Sequence, residues 1–220
     1  MSENNIANEE NSLIGINSSI VPASSFIYSL GTNAQRWKDV YIGPGSLSFY
    51  DNSVQTTAAV FYNGSFEDST IQVSAGTTSA TLVTMNTTTF SKGVSIDSGA
   101  TNSKIIFANA GNYFLSLLGQ FKFSGGASSY DVAIWYSRNN NIEANTAATF
   151  TLTSGQGSQT LAKFEDIVTV NAGDYIQFYW YTSVAPSSGP NGIYLYSVAA
   201  GTNPTRPASR SVRLNIFNVS

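Results

Sequence analysis

Carboxylates are the side chains of this sequence with the shortest route to catalysis. There are 13 acidic residues, and some adjoin, among them Glu67-Asp68 and Glu165-Asp166. A glycoside-cleaving site needs two carboxyls held at a set separation across a cleft. Neighbours on a strand point to opposite faces, so adjacency alone does not make such a pair. The chain has no histidine and no cysteine. The first absence removes the usual general base near neutral pH and the commonest metal ligand. The second removes disulfides, thiolate chemistry and sulfur-ligated metals. Serine nucleophiles have no imidazole partner, and no Gly-x-Ser-x-Gly elbow occurs. A loop calcium site using Asp97, Asp131 or backbone carbonyls stays open, although no EF-hand loop is present. These residues predict a non-enzymatic protein without a cofactor.

Binding is the other chemistry on offer. Exposed aromatic rings stack on sugar faces while amides and hydroxyls reach sugar hydroxyls. Tyr194, Tyr196 and the Pro186–Asn191 loop, ending at Asn191, are the candidates for glycan contact. The competing reading of each ring is packing inside the protein. A net charge of −3 with no basic cluster argues against nucleic acid. Met1-Ser-Glu-Asn-Asn5 has neither a basic region nor an apolar stretch, so no secretory leader is expected. No apolar run approaches membrane-spanning length.

The elements that must carry these residues are strands. Only 10% of residues are charged, against a usual quarter or so, yet 13% are aromatic, which disordered chains are not. A five-residue phrase occurs twice, Asn109-Ala-Gly-Asn-Tyr113 and Asn171-Ala-Gly-Asp-Tyr175. Each copy follows one β-rich run and opens another, and Asn/Asp with Gly is turn chemistry. The spacing predicts two matching hairpins. Strands are expected at 58–62, 70–73, 81–85, 104–107, 113–123, 130–136, 148–152, 161–170, 175–182, 192–199 and 210–219. With no convincing helix, this predicts an all-β sandwich or barrel. Tyr175–Thr182 is apolar on both faces: Ile176, Phe178 and Trp180 on one, Tyr175, Tyr179 and Tyr181 on the other. The tyrosine face is therefore expected to be covered, most simply by another subunit, since tyrosine keeps its hydroxyl usable at an interface. A solvent-exposed tyrosine face is the alternative.

Residues 1–25 form an extended Asn- and Ser-rich arm, either ordered on a partner or a mobile terminus. Residues 26–57 form a connector too short for its own core, with Trp37, Val40 and Ile42 as anchors for a partner surface. Residues 58–220 are the head domain.

Two stretches resemble known families. Tyr28-Ser-Leu-Gly-Thr-Asn-Ala-Gln-Arg-Trp-Lys-Asp-Val-Tyr-Ile-Gly43 resembles a motif of fibre and other structural proteins of tailed phages and large DNA viruses. Residues 58–220 resemble a viral version of the jelly roll shared by tumour necrosis factor and the complement globular heads. The likeness is carried by Thr87–Ser95, the two Asn-Ala-Gly-x-Tyr phrases, Asp131–Tyr136 with Arg138-Asn139, Gly201–Pro207 and Ser211–Ile216. The resemblance implies a jelly-roll β-sandwich of about ten strands, a homotrimer, and no enzymatic activity. It implies a virion location: a fibre head, spike or capsid decoration, joined to other virion proteins through Trp37, Val40 and Ile42, with host-surface carbohydrate as a further expected contact. A soluble lectin-like module of complement-head type is the alternative.

Overall fold

The computed structural model describes residues 34, 47–48, 54–55, 60–97, 99, 101–124, 129–153, 158–184 and 192–219. Trp37, Val40, Ile42 and Asn191, the arm 1–25 and most of the connector lie outside the described residues. The chain divides into units 1–58 and 59–220. In the first unit, β1 (Leu47–Ser48) and β2 (Val54–Gln55) pair antiparallel.

In the second unit the chain runs through β3 (Asn63–Asp68), β4 (Gln72–Val73), β5 (Thr81–Leu82), β6 (Thr87–Lys92), β7 (Val94–Ile96), β8 (Ile105–Phe107), β9 (Gly111–Ser124) and β10 (Tyr130–Arg138). It continues through β11 (Asn141–Ile142), β12 (Ala148–Leu152), β13 (Ser158–Val170), β14 (Tyr175–Thr182), β15 (Gly192–Leu195), β16 (Gly201–Thr202), β17 (Thr205–Arg206) and β18 (Val212–Asn218). Ten of these strands make two antiparallel five-stranded sheets. The order is β13-β9-β18-β3-β6 in the first sheet and β12-β10-β14-β8-β7 in the second. The short strands β15 and β4 extend the first, and β5 and β11 extend the second. This is a jelly roll, with consecutive strands repeatedly crossing between sheets.

Alternation builds the sandwich. In β9, Tyr113, Leu115, Leu117, Phe121 and Phe123 are all buried, while the residues between them face outward. Strand β14 inserts Ile176, Phe178 and Trp180 from the opposite sheet. Phe121 meets Trp180 edge-on at 5.4 Å between ring centroids, and Phe164 meets Phe178 at 5.7 Å. Such pairs add roughly 0.5–1.5 kcal/mol beyond area burial. Tyr136 crosses the gap and donates to Asp166 Oδ2 at 3.0 Å. Burial first, and then that hydrogen bond, hold its phenol well above the usual range.

The two repeats are not hairpins. The first joins β8 to β9, but β8 pairs with β14 and β7 while β9 pairs with β13, β15 and β18. The second joins β13 to β14, which also lie in different sheets. Both are corners that carry the chain from one sheet to the other. They sit side by side: Gly173 N donates to Phe107 O at 2.7 Å, and Phe107 N to Asp174 O at 2.9 Å. Asn, Asp and Gly specify the change of direction, but local sequence does not say whether the strands leaving a turn pair together. The two tyrosines also diverge. Tyr113 is buried and its hydroxyl donates to Asn109 O at 3.1 Å, whereas Tyr175 faces outward under Lys104. The second corner is fastened by a neighbouring turn. Asn139 and Asn140, with φ of 51° and 66°, form the two-residue turn between β10 and β11, as the type I′ geometry requires. Asn139 Nδ2 donates to Asp174 Oδ1 at 2.7 Å, and Tyr175 N donates to Asn139 Oδ1 at 3.0 Å.

Other boundaries moved. The strand expected at 58–62 is not where the first sheet strand lies: it is β3, whose Asn-Gly-Ser start reads as a turn but pairs with both β18 and β6. Strands β6 and β7, read only as part of a resemblance, are regular members of the two sheets. The strand expected at 192–199 stops at Leu195.

Gly173 has a φ of 88°, and a Cβ there would meet nothing within 4 Å. Substitution is therefore opposed by backbone strain alone. Gly173→Ala should cost about 1–2 kcal/mol in urea unfolding, and Gly173→Asn clearly less, because asparagine tolerates this region better. Equal costs would contradict the strain assignment.

Candidate interaction surfaces

A sandwich strand has one face for the core and one for the outside, so the outward faces hold whatever the protein presents. On the first sheet the outward residues are the even positions of β9 and the odd positions of β13 and β18. Register arranges them in rows. Ile167 lies opposite Phe114, and Phe114 opposite Phe217, which makes one apolar row. Ile167 is 60% exposed and Phe217 48%. The next row is polar, with Glu165 opposite Ser116, Ser116 opposite Asn215, and Asn215 opposite Ser65. Ser116 Oγ donates to Glu165 at 3.2 Å, and Ser65 Oγ to Asn215 at 2.8 Å. Beyond it lie Lys163, Leu118, Arg213 and Glu67. An open groove of about 490 Å³ follows, lined by Leu118, Leu161, Pro207 and Ala208 with Arg210 and Arg213 beside them.

Most charges on this face are already matched. Lys163 Nζ sits 2.7 Å from Glu165, and Glu67 is gripped by both Arg210 and Arg213, the latter at 2.8 Å. Glu67 is nearly buried. Burial pushes its carboxyl up, but the two guanidinium hydrogen bonds and their charge outweigh this and hold it below the usual range. Its neighbour Asp68 turns inward, accepting from Thr70, Thr84 and Asn86. Likewise Glu165 faces outward while Asp166 accepts from Tyr136. The pairs Glu67-Asp68 and Glu165-Asp166 are thus each split between faces, and their members are held by other side chains. No group of three or more metal-ligating side chains occurs among the described residues. Asp131 accepts from Thr151 Oγ1 at 2.7 Å, and Asp97 from Gly99 N at 3.0 Å.

On the second sheet the outward residues of β14 are Tyr175, Gln177, Tyr179 and Tyr181. Part of their cover comes from the same chain. Lys104 Nζ lies 4.6 Å from the centroid of Tyr175, and Gln177 Nε2 donates to Ser103 at 2.9 Å. Tyr181 donates to Thr77 O at 2.8 Å. Tyr179 lies opposite Trp135, their rings 5.9 Å apart and 12° from parallel, with Leu82 on its other side.

Tyr194 and Tyr196 correct the glycan expectation. Each is 7% exposed. Tyr194 shares a hydrogen bond with Ser124 at 3.0 Å, and Tyr196 donates to Gln159 beneath Lys122. Strand β15 lies against the far half of β9, so these rings pack within the chain and offer no face to a sugar. The sequence reading also overlooked Ile167, Leu161 and Phe217. The signal was available: β13 carries apolar residues at both parities, the same pattern that drew attention to β14.

No family model matches this chain, and no curated protein matches it. Among solved structures, it is similar to the globular domain of zebrafish complement 1qA protein, at 11% identity and a TM-score of 0.42, covering 72% of this chain and 98% of that one. It is similar to murine APRIL, at 11% identity and 0.41, covering 73% and 100%. It is also similar to the Eiger TNF of S. frugiperda, at 8% identity and 0.45, covering 73% and 93%. The fold assignment rests on the strand order itself, and nothing those proteins do is carried across by likeness of this degree.

The lowered folded value at Glu67 gives stability that is complete above the ordinary value of 4.5 and is lost as pH falls through the folded value. Glu67→Gln should cost about 1–2 kcal/mol at neutral pH, since both arginines are partly solvated. It should also flatten the acid side of the stability curve, read by urea midpoints from pH 7 to 3. An unchanged acid limb would contradict the assignment.

Proposed function

We propose that this protein is a non-enzymatic virion structural protein whose jelly-roll head assembles as a homotrimer through the outward face of its first sheet. The observation that carries this is the row Ile167–Phe114–Phe217, apolar across three adjacent strands, on a face where Lys163, Glu165, Glu67, Arg210 and Arg213 are already paired. Exposed aliphatic and aromatic side chains with locally neutralised charge are what the core of a protein interface presents. This face carries the proposed contact in preference to Tyr175, Tyr179 and Tyr181, because those are covered in part by their own chain. The number of copies and the virion setting are supported by the resemblance of 58–220 to trimeric jelly rolls and of 28–43 to viral fibre connectors. On this reading residues 1–57, with Trp37, Val40 and Ile42 as anchors, join the head to other virion proteins. The head is then displayed as a fibre tip, spike or capsid decoration that meets host-surface carbohydrate.

Light scattering on the full chain should give three times the 23.5 kDa chain mass. Ile167→Asp and Phe217→Asp should shift it to one, because each would bury an unpaired carboxylate in the contact. A monomeric parent, or aspartate variants that keep the oligomeric mass, would overturn the interface.

Trp37→Ala should leave that mass unchanged and lower incorporation into particles severalfold, since interface energy concentrates in aromatic anchors. Normal incorporation would move the attachment out of the connector.

A further inference from the structure

The two outward faces differ in chemistry. The first sheet presents aliphatic rows and paired charges. The centre of the second presents rings, hydroxyls and a single carboxylate. Along β10 the outward residues are Asp131, Ala133 and Trp135. Ala133 lies directly opposite Tyr181 on one side and Thr149 on the other, and Trp135 lies opposite Tyr179. The smallest side chain of the row is thus framed by three aromatic residues and a threonine. Directly opposed residues sit about 5 Å apart on a sheet, so Ala133 is the low point of this row, with larger side chains on either side of the dip. The rings of Trp135 and Tyr179 lie 12° from parallel and flank one side of the dip. Thr149 and Thr151 are exposed, and Thr151 Oγ1 donates to Asp131 at 2.7 Å.

From this we infer that the dip at Ala133 is a binding site for an uncharged pyranose unit of a saccharide. The apolar C–H face of the sugar lies against the outward aromatic surface of Trp135, Tyr179 and Tyr181. Its hydroxyls exchange hydrogen bonds with Thr149, Thr151 and the carboxylate of Asp131. The carboxylate already accepts from Thr151 Oγ1 and keeps acceptor sites for sugar hydroxyls. A protein partner fits this patch poorly. Three aromatic side chains bury roughly 450–750 Å² together when fully covered, and these are already partly covered by their own chain, so the patch falls below the ~800 Å² per partner of a stable interface. An anionic sugar fits poorly too, because Asp131 is the one ionic group in the frame among the described residues.

This inference rests on the proposal that the head meets surface carbohydrate, but its site lies on the sheet opposite the self-association face. The test uses the full chain and saturation-transfer NMR with the methyl glycosides of glucose, galactose, mannose and N-acetylglucosamine, with N-acetylneuraminic acid as the charged comparison. Transfer to the C–H protons of at least one neutral pyranoside is expected. Ala133→Leu fills the dip and should weaken that binding about tenfold or more. Trp135→Phe should keep part of it, and Thr151→Val should weaken it, with oligomeric mass and thermal midpoint unchanged for Ala133→Leu. Absence of transfer to every neutral pyranoside would overturn the site, as would transfer confined to the charged sugar or transfer undiminished in Ala133→Leu. An oligomer that transfers nothing overturns this site alone. A monomer that still takes up the pyranoside overturns the self-association alone.

Discussion

The contact between Phe121 and Trp180 joins the middle of one sheet to the middle of the other, and most of the structure is arranged around it. Both residues are fully buried, Phe150 meets Phe121 edge-on, and Tyr136, Phe164 and Phe178 form a second set of edge-to-face rings between the same two sheets. For these rings to meet, β9 and β14 must lie in opposite sheets with their large residues at inward parity. That requirement sets which way each neighbouring strand faces. Gly119 belongs to the same constraint. A Cβ there would lie 2.8 Å from the ring of Phe121, so the absence of a side chain is what lets the ring lie over the strand.

The price of an aromatic core fed by long strands is that each strand also has an outer face. Fourteen residues in β9 and thirteen in β13 bury one side and expose the other. A polar outer face would be the ordinary outcome for an antiparallel sheet. Here rows of apolar residues alternate with rows whose charges and amides satisfy one another, so the face needs little from water. On the second sheet the outer positions instead carry tyrosine, tryptophan and threonine, partly covered by residues 77–84 and 102–104. One sandwich thus presents two chemically different surfaces, so the proposed self-association and the proposed saccharide contact fall on opposite sheets.

The corners at 109–113 and 171–175 show why a correct local reading can imply the wrong pairing. Asn, Gly and Asp specify a change of direction, and both segments change direction. Whether the outgoing strand folds back on the incoming one or crosses to the other sheet depends on where each hydrophobic face finds its partner. Tyr113 and Tyr175 occupy the same place in the phrase yet point to the core and to the outside. Strand β3 makes the same point in reverse. Asn63-Gly64-Ser65 has weak strand propensity, but a vacant position between β18 and β6 imposes the extended form.

The sequence by itself determined that this is an all-β domain, that Ile176, Phe178 and Trp180 share one face of a strand, and that adjacency does not make Glu67-Asp68 or Glu165-Asp166 a catalytic pair. Period-two alternation and turn residues act over a few positions, so they are legible locally. Only the tertiary structure decided that the repeats are corners, that Tyr194 and Tyr196 are packed away, and that Ile167, Phe114 and Phe217 form one row. It also decided that Ala133 sits among three aromatic residues. Each of these depends on which strands become neighbours and in what register. That is fixed by the packing of side chains far apart in the chain, and no window of sequence contains both partners.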